Sequence, residues 1–461
     1  MLIDDDLLFE DGPGQPRPTV VVNQWLRELP SSGGPSPRTW AVYARIVRDW
    51  MVFLAERGIR LFDSRERLRS GLSGYAAYRA VGPLTARFEA STWNQHVTVL
   101  ASFYRWAEAE GHAESQPFTY RTAVTYFTDQ VKVQQVNQAV RRTPKAHVTI
   151  KYLEREFADL FVNGLRGLTP DGAEDPTFRG WELARNGAVG ELALATGLRM
   201  QEFSNLLVHE IPALPPQRTE LPIPFPVPEG VTKGRKFRTT WISYDALAAV
   251  HRYIELDRAM AVEGSSWRPA EKRGGALVVS EADARGGRID GDKVAWPSIR
   301  PAERRRLVSA GGGSLLLAVR SDGGPFTAWN TVFERTSARI KKRFEPRFPH
   351  VWPHRLRHTF AIQTIERLVS GYYVEVAKTE LATRADDALA LYLTKADPLM
   401  VLRDLLGHSS VMTTEAYLRR LDMTRVYRDA YERATAEVGQ AAAAAADREA
   451  ADEFTDDEEE L

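Results

Sequence analysis

The 461-residue chain contains no cysteine. Disulfide staples, a thiolate nucleophile and a Cys-ligated metal are therefore excluded, and a reducing cytoplasm is compatible with the sequence without being required by it. No apolar run approaches the ~20 residues a membrane span needs. The opening MLIDDDLLFEDG carries acids where a secretion leader carries Lys or Arg, so a cytoplasmic protein without a membrane partner is expected. Lysine is scarce, at 11 of the 61 basic residues, and the other 50 are arginine. Arginine suits bidentate contact with phosphate, although the coding bias of a GC-rich genome produces the same skew.

Net charge is also missing, since 61 basic residues balance 61 acids. The balance is uneven along the chain. Residues 440 to 461 hold nine acids against Arg448 alone, so the preceding 439 residues carry +8 and can present a basic surface. A hydrophobic content of 43% is ample for the cores of two or three domains.

Residues 1–18, acidic then Gly/Pro-rich, read as a flexible arm. From 19 to 111 the pattern is helical. In RTWAVYARIVRDWMVFLAERG the residues Trp40, Tyr43, Ile46, Val47, Trp50, Phe53 and Leu54 recur at i, i+3, i+4, i+7 between Pro37 and Gly58. A second helix carries Trp93, Val97, Leu100, Phe103, Tyr104 and Ala107 before Gly111, so a helical bundle is expected. Residues 112–148, including the basic VRRTPKAH, read as a linker. A mainly helical domain with a small β component then runs over 149–435, with a strand pair around PIPFPVPEGVTKGRKFRTTWIS that turns at Gly234. Two insertions are read into it: loops with one or two short strands over 262–325, and extra material over 369–398. Residues 436–461 read as a helix end and an acidic disordered tail.

The chemistry concentrates near the C-terminus, where PHRLRHTF holds His354, Arg357 and His358, LLGH holds His408, and TTEAYLRR holds Tyr417. Upstream lie Arg199 and Glu202 in TGLRMQEFSNLL and Lys233 in VTKGRKFR. Cutting a phosphodiester with a side-chain nucleophile needs cations for the phosphate charge, a proton donor for the leaving oxygen and the nucleophile itself. A tyrosine, with a reference pKa near ~10, needs nearby cations to act as phenolate. Pro353 can start a helix, and the i, i+3 spacing puts His354 and Arg357 on one face near its positive end. Glu202 is spaced to hold Arg199. The His354 and His358 pair at i, i+4 lacks the intervening Glu of a zinc motif, so no metal site is expected.

In order and local spacing these motifs resemble the tyrosine recombinase (phage integrase) family, and the resemblance runs over roughly residues 20 to 435. It implies a helical core-binding, DNA-binding domain over 19–111 and a mixed α/β catalytic domain over 149–435. Arg199, Lys233, His354, Arg357 and His408 would serve a scissile phosphate that Tyr417 attacks, with Glu202 and His358 in support. Lys233 is chosen as proton donor because it stands first in a GKGxKxR-like hairpin, although Lys236 competes; Arg235, Lys236 and Arg238 would meet the DNA backbone. The family implies a 3′-phosphotyrosyl intermediate, no metal or other cofactor, duplex DNA as partner, a homotetramer in the synapse and service to a mobile element. Type IB topoisomerase or transposase use of the same groups, and a DNA-binding regulator without turnover, stand as alternatives.

Overall fold

Pro37 opens the first predicted helix as expected, with Ser36 as its N-cap. The Ser36 hydroxyl accepts the Thr39 N–H at 3.3 Å, and Pro37 occupies the first turn, where no N–H is needed. The computed structural model describes residues 17–34, 36–127, 130–142, 150–271, 274–371, 373 and 396–418. The chain divides between His147 and Val148 into two compact units. Its fold is mainly α with a small β component. No helix among the described residues is long and apolar enough to cross a membrane.

The first unit contains α1 (Pro18–Glu28), α2 (Pro37–Ala55), α3 (Arg65–Val81) and α4 (Ala90–Ala109). The periodic residues of α2 and α4 supply the core: Val47, Trp50, Leu54, Trp93, Leu100, Phe103 and Tyr104 are all buried. The polar groups of Trp50 and Tyr104 are paired within that packing. Trp50 Nε1 donates to Tyr104 Oη at 3.0 Å, and that hydroxyl donates to the Leu61 carbonyl at 2.8 Å.

Part of the stretch read as a linker is instead an antiparallel hairpin, β1 (Tyr120–Phe127) with β2 (Gln130–Asn137), paired from Tyr120↔Asn137 inward. The chain leaving it is fastened to α4 by Trp93 Nε1 to the Ala139 carbonyl (2.7 Å) and by Asn94, which bonds both the N–H and the carbonyl of Arg141. The β-branched content of TAVTYF and VKVQQV was the available strand signal.

The second unit runs α5 (Arg155–Leu165), α6 (Leu183–Thr196), α7 (Met200–Phe203), β3 (Ile223–Val227), β4 (Arg238–Ile242) and α8 (Tyr244–Tyr253), which passes through a π turn (Ile254–Arg258) into α9 (Ala259–Val262). Then come β5 (Leu277–Ala282), β6 (Gly286–Ile289), β7 (Asp292–Ala295), α10 (Pro301–Arg304), β8 (Leu307–Ser309), α11 (Trp329–Arg343), α12 (Pro353–Val369), α13 (Pro398–Leu406) and α14 (Val411–Leu418). The main core packs α5, α6, α8 and α11 around Phe161, Leu192, Phe203, Leu247 and Trp329. A second cluster joins α12, α13 and α14 through Phe360, Ile365, Leu402, Leu406 and Tyr417.

The strand pair expected upstream is β3–β4, in register from Ile223↔Ile242 to Val227↔Arg238. The 262–325 insertion is more ordered than the loops expected of it. It builds a four-stranded sheet in the order β7-β6-β5-β8, with β5 and β8 parallel, over a small core of Val279, Trp296, Ile299, Leu307 and Leu316. Strands of three to six residues between glycines show too little alternation to be read from sequence. The 1–18 arm lies outside the described residues except for its last two. The 369–398 insertion does so except at its edges and Tyr373, and the acidic tail does so entirely.

Candidate active site

Three helix ends converge on one buried guanidinium. α6 stops at Gly197, whose φ of +62° is left-handed and whose absent Cβ would lie 2.3 Å from the Phe360 ring. α13 stops at Gly407 in the same conformation, φ +63°, where a Cβ would lie 2.8 Å from Arg238 Cδ. Both positions need glycine for conformation and for space. The freed carbonyls at these two ends accept from Arg357, one turn into α12: Nη1 donates to the Gly197 carbonyl at 2.7 Å and Nη2 to the Leu406 carbonyl. A helix C-terminus is a natural seat for a cation.

Arg357 is 1% exposed, and its direct partners are neutral. Burial, then the neighbouring Arg199, lower its pKa to about 9, so it remains charged at neutral pH.

The compensating acid is Glu202, fully buried in α7. Its carboxylate caps its own helix by accepting the Arg199 N–H at 2.8 Å, and it also accepts Arg199 Nη1 at 3.1 Å. Arg238 closes the other side in bidentate fashion, with Nη1 and Nη2 at 2.9 and 2.6 Å, while its Nε donates to the Leu405 carbonyl at 3.1 Å. Burial would raise the Glu202 pKa, but the Arg238 hydrogen bonds and charge, with the Arg199 N–H and Arg357, hold it below the usual value. Three guanidinium groups thus share one carboxylate. The surplus positive charge makes the site a seat for an anion, reached through the partly exposed Arg199.

Tyr417 brings its hydroxyl to this cluster from α14, with its ring 4% exposed. Tyr417 Oη lies 2.8 Å from His358 Nδ1, and its ring stacks parallel to that of His408 at 6.3 Å. His408 Nδ1 in turn meets the Thr414 hydroxyl at 3.1 Å. His354, exposed one turn before His358, packs edge-on against the His358 ring at 4.4 Å. Burial, then the charges of His354 and Arg357, lower the His358 pKa to about 4; burial and Arg357 bring His408 to about 4 as well. His354 is lowered by burial, Arg357 and Arg199. Burial pushes the Tyr417 hydroxyl up, against the pull of Arg357 and Arg199.

Arg199, Glu202, His354, Arg357, His358, His408 and Tyr417 are therefore brought together. Lys233, Arg235 and Lys236 are exposed in the turn between β3 and β4, outside this cluster. Arg238 differs from its expected place among the phosphate contacts: its side chain is 9% exposed and committed to Glu202 and Leu405. Arg238 is the first residue of β4, where the basic turn gives way to strand, and the surrounding charge run obscured that signal. His358, expected only in a supporting place, is the histidine that touches the Tyr417 hydroxyl.

No family model matches the chain, and no curated protein matches it. Among solved structures, it is similar to a Tn1549 transposon integrase in complex with transposon right end DNA, at 14% identity and a TM-score of 0.46, over 86% of this chain and 94% of that one. The XerH site-specific recombinase bound to difH substrate aligns at 14% identity and 0.43, over 89% and 84% of the two chains. XerA recombinase aligns at 15% identity and 0.33, over 89% and 98%. These likenesses are distant, and the chemistry of the site rests on the groups described above.

Proposed function

We propose that the protein is a site-specific DNA recombinase that cuts and rejoins duplex DNA through a 3′-phosphotyrosyl intermediate. The observation that carries this reading is the Tyr417 hydroxyl, hydrogen-bonded to a neutral histidine beside a surplus of guanidinium charge. A phosphodiester supplies the anion that the guanidiniums beside this phenol lack.

In this reading Arg199 and Arg357 hold the non-bridging oxygens of the scissile phosphate; Glu202, clamped by Arg238, keeps Arg199 in place, and the Gly197 and Leu406 carbonyls keep Arg357. Neutral His358, its proton on Nε2, accepts the Tyr417 proton at Nδ1. Tyr417 Oη attacks phosphorus, and the bond from phosphorus to the 5′ oxygen breaks. Lys233 gives its proton to the departing oxygen, leaving a 5′ hydroxyl and a phosphotyrosine. His408 and His354 donate to the phosphate as its charge draws protons onto them. Attack by a 5′ hydroxyl reverses these steps and reseals a strand. Because each covalent link conserves the energy of the bond broken, no nucleotide is consumed. Exchange between two sites requires four such protomers, so a tetramer assembles on paired DNA sites in this reading, with a mobile element as the natural client.

The test is covalent capture. The full-length protein, incubated with nicked duplexes whose cleaved end diffuses away, should form a protease-sensitive protein–DNA adduct that resists denaturation. Tight binding without any adduct would favour a DNA-binding regulator instead.

A further inference from the structure

The four-stranded insert has no part in the chemistry above, yet it is joined to the turn that carries Lys233. Its hub is Arg304, which is fully buried. The guanidinium pairs with Glu210 in bidentate fashion at 2.6 and 2.8 Å and donates to the carbonyls of Asn205 (3.1 Å), Trp296 (2.8 Å) and Ile299 (3.1 Å). One side chain thereby ties the segment after α7 to the short helical turn Trp296–Ser298. Trp296 is itself fixed, with its Nε1 on the Asp283 carbonyl at 2.7 Å.

That turn backs directly onto the approach to Lys233. A Cβ on Gly230 would lie 2.8 Å from the Ile299 carbonyl and 2.9 Å from that of Pro297, so the two backbones touch only because residue 230 is glycine. Beyond it, the Thr232 hydroxyl accepts the Lys236 N–H at 2.9 Å and closes the loop around Lys233. Gly234 and Arg235 both adopt left-handed backbone, φ +82° and +52°, which is costly for arginine, and Arg235 Nη2 reaches the Pro297 carbonyl at 3.4 Å. Gln201, two residues after Arg199, donates to the Val231 carbonyl at 3.1 Å. The turn is thus held between the active-site helix α7 on one side and the insert on the other.

We infer that the insert, through its Trp296–Ser298 turn, is a backstop that positions the Lys233 turn for leaving-group protonation, with Arg304 and Gly230 as the positioning residues. This rests on the strand-transfer reading, because it concerns the proton donor of that reaction. An exposed lysine on a free turn samples many positions, whereas general acid catalysis needs its ammonium within hydrogen-bond reach of one departing oxygen. The Pro297 and Ile299 backbone packed behind the turn restricts that sampling without taking part in the chemistry itself.

The experiment compares two leaving groups. Nicked duplexes recovered as covalent adducts from a random-sequence library are resynthesised with either the ordinary 5′ oxygen or a 5′-bridging sulfur at the scissile position. When the bond from phosphorus to sulfur breaks, the thiolate departs without needing a proton. Lys233→Ala should slow the oxygen substrate by about 100-fold or more and the sulfur substrate little, the range expected for loss of a general acid. Gly230→Ala and Arg304→Lys should each slow the oxygen substrate by about tenfold, a partial version of that loss, while cleaving the sulfur substrate within about twofold of the parent. The retained sulfur rate reports intact folding. Equal slowing on both substrates, or no slowing on either, would overturn the backstop. A parent protein that forms no adduct with either substrate would overturn the strand-transfer reading beneath it.

Discussion

His358 Nδ1 and Tyr417 Oη lie 2.8 Å apart, joining α12 to α14 across the candidate nucleophile. The contact leads from the phenol to a neutral imidazole, since burial and its cationic neighbours bring the His358 pKa to about 4. Replacing His358 by Ala should slow adduct formation by roughly 10²-fold, within the range for a lost general base, with little change in DNA affinity. Single-turnover cleavage and a binding isotherm on the same duplex separate the two. Loss of affinity with an unchanged cleavage rate would contradict the role.

Arg199 and the turn residues should fail in different ways. Arg199→Ala should retain most DNA binding and lose cleavage by at least ~10²-fold, as expected for a donor aimed at transition-state charge. Arg235→Ala or Lys236→Ala, both exposed, should instead weaken binding and reduce the salt slope by about one. Equal cleavage losses and equal salt slopes across the three variants would refute the division.

Arg238 offers a sharper contrast, because its guanidinium is spent on Glu202. Arg238→Ala leaves a carboxylate that is 1% exposed with Arg199 as its remaining ion-pair partner and should cost about 1.5–3 kcal/mol, the range for lost hydrogen bonds to a buried charge. A thermal melt reads this directly. A variant as stable as the parent but with a reduced salt slope would return Arg238 to the phosphate contacts.

Acid should destabilise the protein well before its carboxylates protonate. His96, His358 and His408 all fall from 6.5 to about 4 on folding, chiefly through burial. Each therefore binds a proton more readily in the unfolded chain, so its contribution to stability is full above pH 6.5 and is lost as pH falls toward 4. The melting temperature should drop through that window, and His408→Asn should flatten the drop. Bound DNA should shift the fall to lower pH if it favours imidazolium, because the folded-state pKa values then rise toward those of the unfolded chain. Under the proposed role the phosphate does favour it, so the complex should tolerate acid better than the free protein. A melting temperature constant from pH 7 to about 4.5 would contradict these assignments.

Much of this was legible because it is local. The 3.6-residue period of α2 and α4 reported directly which residues form the first core, and Pro353 announced the start of α12. The grouping of Arg199, His354, Arg357, His408 and Tyr417 was implied by the resemblance of their motifs in order and local spacing to one family, not by any single motif. What stayed hidden depends on contacts distant in sequence. The Arg238–Glu202 clamp spans 36 residues and the His358–Tyr417 contact 59, and nothing in either segment alone distinguishes a clamp from a surface charge or a contact from a packed ring. The insert sheet stayed hidden for a different reason, since its short strands between glycines and charges carry a weak period-2 signal, whereas the eight-residue strands β1 and β2 did carry a β-branched signal.

The most direct measurement is covalent trapping with and without the phenolic oxygen. The full-length protein and its Tyr417→Phe variant are incubated with the same library of nicked random-sequence duplexes, denatured, and resolved for DNA-linked protein. The parent should yield adducts that map, after proteolysis, to the peptide containing Tyr417, and the variant should bind DNA comparably and yield none. Adducts of undiminished yield in Tyr417→Phe would contradict the account at its centre.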